Sequence, residues 1–239
     1  MAEHLETIFE YAVANQRYVG VMLKASQSVA KAAVVLLPDW RGRSALALEH
    51  AAFLVGLGCT VAIADLYGDG FSPDSPDQVG PMVQRLVQNR QLGVEALDAC
   101  VSRVRQEVSA DIPIVCLGYS AGGMIALDYA RSGKKIDGVI LCSALLKTAA
   151  PGMGTRISAP VLVLQGTQDQ VSPMETIAAV IAEVDQAGND VRFELYTQTH
   201  HAFDNPEAGT NLNARLVYSP TSAKRARQAI ANFLTEVAK

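Results

Sequence analysis

Ile112-Pro113-Ile114-Val115-Cys116-Leu117 runs straight into Gly118-Tyr119-Ser120-Ala121-Gly122-Gly123, and a helical pattern from Ala121 to Arg131 starts at once. An apolar strand, a Gly-x-Ser-x-Gly turn and a helix in that order form the sequence context of a nucleophile elbow. A serine on so sharp a turn needs glycines two residues to either side, because backbones pass where a Cβ would sit. The turn also aims the amide of Ala121, at a helix N-terminus, toward the space above Ser120, where negative charge would develop on a carbonyl oxygen. The motif is weak alone and gains weight from its placement. The competing interpretations are an ordinary tight turn and a phosphate loop, and no Walker lysine or Rossmann glycine spacing supports the latter.

Outward from the elbow, further short apolar runs read as buried strands: Ala32 to Leu37, Thr60 to Ala64, Gly138 to Cys142 and Val161 to Gln165. Val191 to Tyr196 alternates, as expected nearer a sheet edge. Helical patterns lie between them at Ala45–Leu57, Pro81–Val108, Ala121–Arg131, Met174–Ala187 and Ala223–Val237. Thr7–Val13 and Tyr18–Lys24 predict an opening hairpin turned at Asn15 and Gln16. The alternation predicts an α/β fold with a mostly parallel sheet covered by helices on both faces and an N-terminal antiparallel hairpin. Ligands are then expected outside the carboxyl ends of the strands.

The 239 residues are 49% hydrophobic and 18% charged, enough for a large core and far from a disordered composition. Neither a repeat nor a linker divides them, so residues 1–239 are expected to be one domain. Lys and Arg number 20 against 24 Asp and Glu, with no basic block, which argues against nucleic acid as a partner. The start, Met1 to Glu10, has no basic region followed by an apolar stretch, and no apolar run is long enough for a bilayer. A cytoplasmic location with no membrane partner is the expectation. Cys59, Cys100, Cys116 and Cys142 show no Cys-x-x-Cys pair and read as reduced, buried core residues.

A serine needs a base to take its proton, and that base needs an orienting carboxylate, in the chain order Ser, Asp or Glu, His. Asp169 follows the strand Val161–Gln165 through Gly166-Thr167-Gln168, on the correct edge of the sheet. Its ordinary alternative is to cap the helix at Met174, a job Ser172 can do instead. Of four histidines, only His200 and His201 lie beyond Val191–Tyr196. His4 falls in a tail expected to fray and His50 inside a helix, each a surface or satisfied histidine. Adjacent side chains on an extended segment point apart, so only one of His200 and His201 faces Ser120, and chemistry alone does not say which.

Taken together, Leu37-Pro38-Asp39-Trp40-Arg41-Gly42, Ala64-Asp65-Leu66-Tyr67-Gly68, Gly118 to Gly123, Gly166 to Asp169 and His201-Ala202-Phe203 resemble the dienelactone hydrolase family. The resemblance spans nearly the whole chain and implies an α/β-hydrolase fold without a large cap domain. Its His-x-Phe motif implies His201 as the base. It implies Trp40 as the second oxyanion amide beside Ala121, and Asp39 as an acidic neighbour of the nucleophile. Two residues depart from the family's pattern. Ser120 stands where dienelactone hydrolases proper carry cysteine, and Asn205 stands where an arginine meets the lactone carboxylate.

The resulting expectation is a serine hydrolase of small carboxylic esters or lactones, with Ser120, Asp169 and His201 catalytic and no cofactor or metal. A small, fairly open pocket is predicted, walled by Asp39, Trp40, Tyr67, Tyr119, Leu145 and Phe203, with only a loop around Pro151, Gly152 and Gly154 above it. Arg85 or Arg90 could hold an anionic group, although exposed ion pairs are the commoner role for these and for Arg103. Other readings are a non-catalytic scaffold that binds a small ligand, and a thioesterase or peptidase using the same three residues. Residue patterns leave the oligomeric state open.

Overall fold

The computed structural model describes residues 4–25, 30–73, 75–150 and 152–239; Met1 to Glu3 and Pro151 lie outside the described residues. Eight strands form one sheet: β1 (His4–Val13), β2 (Gln16–Ala25), β3 (Ala32–Leu37), β4 (Cys59–Ile63), β5 (Ile114–Tyr119), β6 (Gly138–Cys142), β7 (Val161–Gly166) and β8 (Val191–Tyr196). Their order is β1-β2-β4-β3-β5-β6-β7-β8. β1 and β2 pair antiparallel, β2 joins β4 antiparallel over Val21–Leu23, and every other neighbouring pair is parallel. His4 therefore opens the first strand rather than fraying.

The helices are α1 (Ala45–Gly56), α2 (Pro76–Gln88), α3 (Arg90–Arg105), α4 (Ser120–Arg131), α5 (Met174–Gln186) and α6 (Pro220–Val237). The period of two along β3 shows why both faces are covered. Ala33, Val35 and Leu37 join one core with α3, α4 and α5, while Ala32, Val34 and Leu36 join another with α1 and α6. This is the α/β-hydrolase arrangement, and among the described residues there is no large cap.

Several boundaries differ from the sequence pattern for local reasons. β5 begins at Ile114, since Pro113 has no N–H for the ladder and Ile114 N instead donates to Asp137 Oδ2 at 2.7 Å. The stretch expected as one helix from Pro81 to Val108 is two. The break falls at Asn89, whose Nδ2 donates to Arg85 O at 2.9 Å and whose backbone leaves the helical region. Pro81 lies within α2, which starts at Pro76, a favoured first-turn residue. α6 likewise starts early at Pro220, capped by the Ser219 hydroxyl.

The sheet order reverses at β3, with β4 on one side and β5 on the other, so the loops leaving β3 and β5 face across a topological switch point. Asp65, just past β4, fixes the neighbouring entry loop. Its buried carboxylate accepts from Val19 N (3.0 Å), Tyr67 N (3.0 Å), Gly68 N (2.9 Å) and Gly70 N (2.8 Å). Asp65→Ala would leave those amides without their acceptor. The expected cost is about 3 kcal/mol or more, read as a lower urea midpoint, and a loss below about 0.5 kcal/mol would contradict this role.

Candidate active site

Ser120 occupies the turn from β5 into α4 with φ 47°, the left-handed region that costs a residue bearing a Cβ. The crowding around it is backbone against backbone. A Cβ on Gly118 would lie 2.6 Å from Gly122 O and from Gly123 Cα, and one on Gly122 would fall against the carbonyl oxygens of Leu37 and Pro38. Two hydrogen bonds brace the turn: Ser120 N donates to Ser143 O (3.2 Å) and Leu145 N donates to Ser120 O (2.8 Å).

Ser120 Oγ lies 2.9 Å from His201 Nε2, and His201 Nδ1 lies 2.7 Å from Asp169 Oδ2. With Nδ1 donating to the carboxylate, Nε2 is left as an acceptor for the serine hydroxyl. Asp169 sits where β7 ends, its side chain fully buried. Oδ1 accepts from Val171 N (2.7 Å) and Ser172 N (2.9 Å), while Oδ2 also accepts from Gln165 Nε2 (2.6 Å). Ser172 does not cap α5; it accepts from Leu146 N (2.8 Å) and donates to Ala144 O (2.9 Å), drawn toward the loop after β6. His200 is buried and lies outside the cavity that Ser120 and His201 share.

That cavity measures about 790 Å³, larger than the small pocket expected, because α2 stands beside the site and adds a wall of Val79, Val83 and Val87. Of the residues expected to wall it, Asp39, Trp40, Tyr119 and Leu145 line it, and Ala121 reaches it too. Tyr67 and Phe203 do not. Tyr67 donates its hydroxyl to Trp40 O at 2.7 Å, fixing the peptide that follows β3. Phe203 is fully buried edge-on against Tyr196, with ring centroids 5.6 Å apart, because the left-handed backbone of Ala202 (φ 58°) turns the chain back into the core.

The sequence matches the profile of the dienelactone hydrolase family over residues 19–238. The chain belongs to the dienelactone hydrolase family. It is therefore a hydrolase. A solved structure described as m3DLH is 31% identical with TM-score 0.88, covering 98% of both chains. A dienelactone hydrolase-like promiscuous phosphotriesterase, P91, from metagenomic libraries is 24% identical with TM-score 0.90, again over 98% of both chains. A putative dienelactone hydrolase from Klebsiella pneumoniae is 17% identical with TM-score 0.80, over 98% of this chain and 99% of that one. The latter two likenesses speak for the fold. A search of curated proteins found no match.

In this dienelactone hydrolase family member Arg90 and Arg103 take the commoner role, in ion pairs. Arg90 forks onto Asp128 and the carbonyl of Thr148, Arg103 pairs with Glu107 at 2.6 Å, and Arg85 is exposed; none lines the cavity. The cations that do are Arg41 and Arg215. Arg41 binds Asp39 through Nη2 (2.7 Å) and Glu207 through Nη1 (2.6 Å), so its fork is already filled. Arg41 was within reach of the sequence, adjoining Trp40 in a quoted motif, whereas Arg215 carries no pattern. Asn205 accepts from Glu207 N at 3.0 Å and caps the short turn Pro206–Ala208. Among the described residues no group of three or more His, Cys, Asp or Glu is placed to hold a metal ion, and no helix is long and apolar enough to cross a membrane.

Ser143, at the carboxyl end of β6, joins the two halves of the site. Its carbonyl takes the Ser120 amide, while its hydroxyl accepts from Ala202 N at 2.8 Å and lies 3.5 Å from His201 Nδ1. The rule that ligands gather at strand ends points to this position, yet nothing in the residue type does. Replacing Gly122 with alanine is expected to force the ends of β3 and β5 apart. Activity should fall at least about tenfold and the protein should melt lower; an active Gly122→Ala protein of unchanged stability would show that the elbow has room to spare.

A second pair, buried His50 with partly buried Asp204, stands at the cavity. The His50 ring stacks on Tyr119 with centroids 4.1 Å apart, and His50 Nε2 lies 3.4 Å from Asp204 Oδ2. Burial pushes His50 down from 6.5 to about 3, helped by Arg227 and Arg41. Burial raises the Asp204 carboxyl from 3.8 to about 6, and the charge of Asp39 adds to this. An acid raised in the folded state binds more protons folded than unfolded, so its contribution weakens stability as pH climbs from about 4 through about 6. Asp204→Asn removes that loss. The melting temperature of the variant minus that of the wild type should rise across this interval and level off above it; a flat difference would contradict the burial cost.

Proposed function

We propose that the protein cleaves carboxylic esters or lactones through an acyl-enzyme on Ser120. The observation that carries the reading is the unbroken hydrogen-bond chain Ser120 Oγ to His201 Nε2 (2.9 Å) and His201 Nδ1 to Asp169 Oδ2 (2.7 Å), opening on a large cavity. Ser120 Oγ attacks the carbonyl carbon as its proton passes to His201 Nε2. The electron pair pushed onto the carbonyl oxygen makes an oxyanion that accepts hydrogen bonds from the amides of Ala121 and Trp40, where each donor is typically worth about 10²–10³ in rate. Collapse breaks the bond to the leaving oxygen, which takes the proton from His201. A water, deprotonated by the same imidazole, then releases the acid and restores Ser120.

Asp169 holds the tautomer in which Nε2 is the base and stabilises the imidazolium once it forms. Its filled lone pairs fix its direction, since Gln165 and two turn amides leave it one way to face. Ser143 Oγ lies beside the same Nδ1, at 3.5 Å, and keeps the left-handed Ala202 in place. The single domain expected of residues 1–239 is the hydrolase unit in this reading, supported by the family match over residues 19–238.

The test is hydrolysis of p-nitrophenyl acetate by the purified protein, followed by a panel of lactones, thioesters and amides. Ser120→Ala and treatment with a serine-directed phosphonate should each reduce turnover by roughly 10⁴-fold or more. His201→Ala should do about the same, while His200→Ala stays within about tenfold of the wild type. Turnover surviving Ser120→Ala, or loss confined to His200→Ala, would overturn the assignment.

A further inference from the structure

The order of the sheet divides the cavity. β3 lies on one side of β5, and β6 and β7 lie on the other. The loop after β3 brings Asp39 and Arg41, and Arg41 draws Glu207 to the same side, so the β3 half is polar and ionic. The loops after β6 and β7 bring Leu145 and Val171. α2 adds Val79, Val83 and Val87 at four-residue spacing, one stripe on a single helix face. These valines and Leu145 are half-buried, with apolar surface turned to the cavity.

Such a two-sided cavity sorts the two substituents of an ester. The leaving oxygen must reach His201 Nε2 to take its proton, and the chain beyond His201 runs through Asp204 and Asn205 to Glu207 on the polar side. The alcohol portion is led that way, leaving the α2 stripe to the acyl portion. The stripe ends at Val87 and Val171. Both also line a neighbouring cleft of about 700 Å³, walled by Ala149, Ala150 and Ala179 together with the charged Arg90, Lys147 and Glu175, so the two valines stand as a wall between the spaces.

We propose, resting on the ester-hydrolase reading above, that the substrates are esters of unbranched fatty acids of medium length. The acyl chain lies along Val79, Val83 and Val87, and Val87 with Val171 sets its length limit. Burying a methylene against such a wall is favourable, and one methylene too many meets a close-packed surface, a difference of about tenfold or more in kcat/KM.

The experiment measures kcat/KM for p-nitrophenyl acetate, butyrate, octanoate and dodecanoate, and for acetates of alcohols of increasing length. It compares the wild type with Val87→Ala, Val171→Ala and Val87→Phe, each read as a ratio of esters within one protein. The wild type should prefer butyrate or octanoate over both acetate and dodecanoate. Either alanine variant should raise the dodecanoate-to-butyrate ratio by about tenfold, because the wall opens into the next cleft, and Val87→Phe should lower the octanoate-to-acetate ratio by about as much. An unchanged length profile in all three variants overturns the proposal, as does a wild type that prefers acetate. A response to alcohol length in place of acyl length overturns it too. Absence of turnover with every ester overturns the ester-hydrolase reading as well, and so is told apart from failure of the length limit alone.

Discussion

At Gly122 the helix that follows Ser120 passes so near the carbonyls of Leu37 and Pro38 that no side chain fits between them. That approach sets the geometry of everything at the switch point. It places the end of β3, with Trp40, against the start of α4, with Ala121, and it holds Ser120 in a backbone conformation it would not choose in isolation. The strain is sustained because the turn is over-determined: glycine contacts on one side and hydrogen bonds to Ser143 and Leu145 on the other. A strained serine on a rigid frame keeps its hydroxyl directed at His201 without the entropy loss of ordering a mobile chain.

The electrostatics follow the same economy of position. Asp169 faces donors on both oxygens, and Arg41 is occupied by two carboxylates, Asp39 on its own loop and Glu207 lying 166 residues further along the chain. Charge at the mouth is thus largely internally paired, leaving Ser120 and His201 facing a cavity whose other half is aliphatic. A carbonyl seated against that aliphatic half meets few competing hydrogen-bonding groups there.

Legibility in the sequence tracked how local each requirement is. The elbow could be read because its steric demand falls on residues two apart, and Asp169 because a strand-end loop announces itself. Choosing His201 over His200 needed the family's His-x-Phe pattern, since neighbouring histidines look alike. Tyr67 and Phe203 were misplaced because an aromatic side chain in a motif fits a pocket wall or a core equally well, and the backbone turn at Ala202 that decides between them leaves no mark on residue type. Gln165, Ser143 and the Arg41–Glu207 pair depend on partners distant in the chain. The break at Asn89, which lets α2 stand beside the site, was hidden within a continuous helical pattern.

The four cysteines, Cys59, Cys100, Cys116 and Cys142, are all free and buried, and burial lifts every one of their thiols above the ordinary range. The folded chain therefore presents almost no thiolate to solvent. It is a quiet background for chemical labelling: a single cysteine introduced on the α2 stripe or at the rim would be the one sulfur that a maleimide or spin label finds, and its signal would report on that place alone.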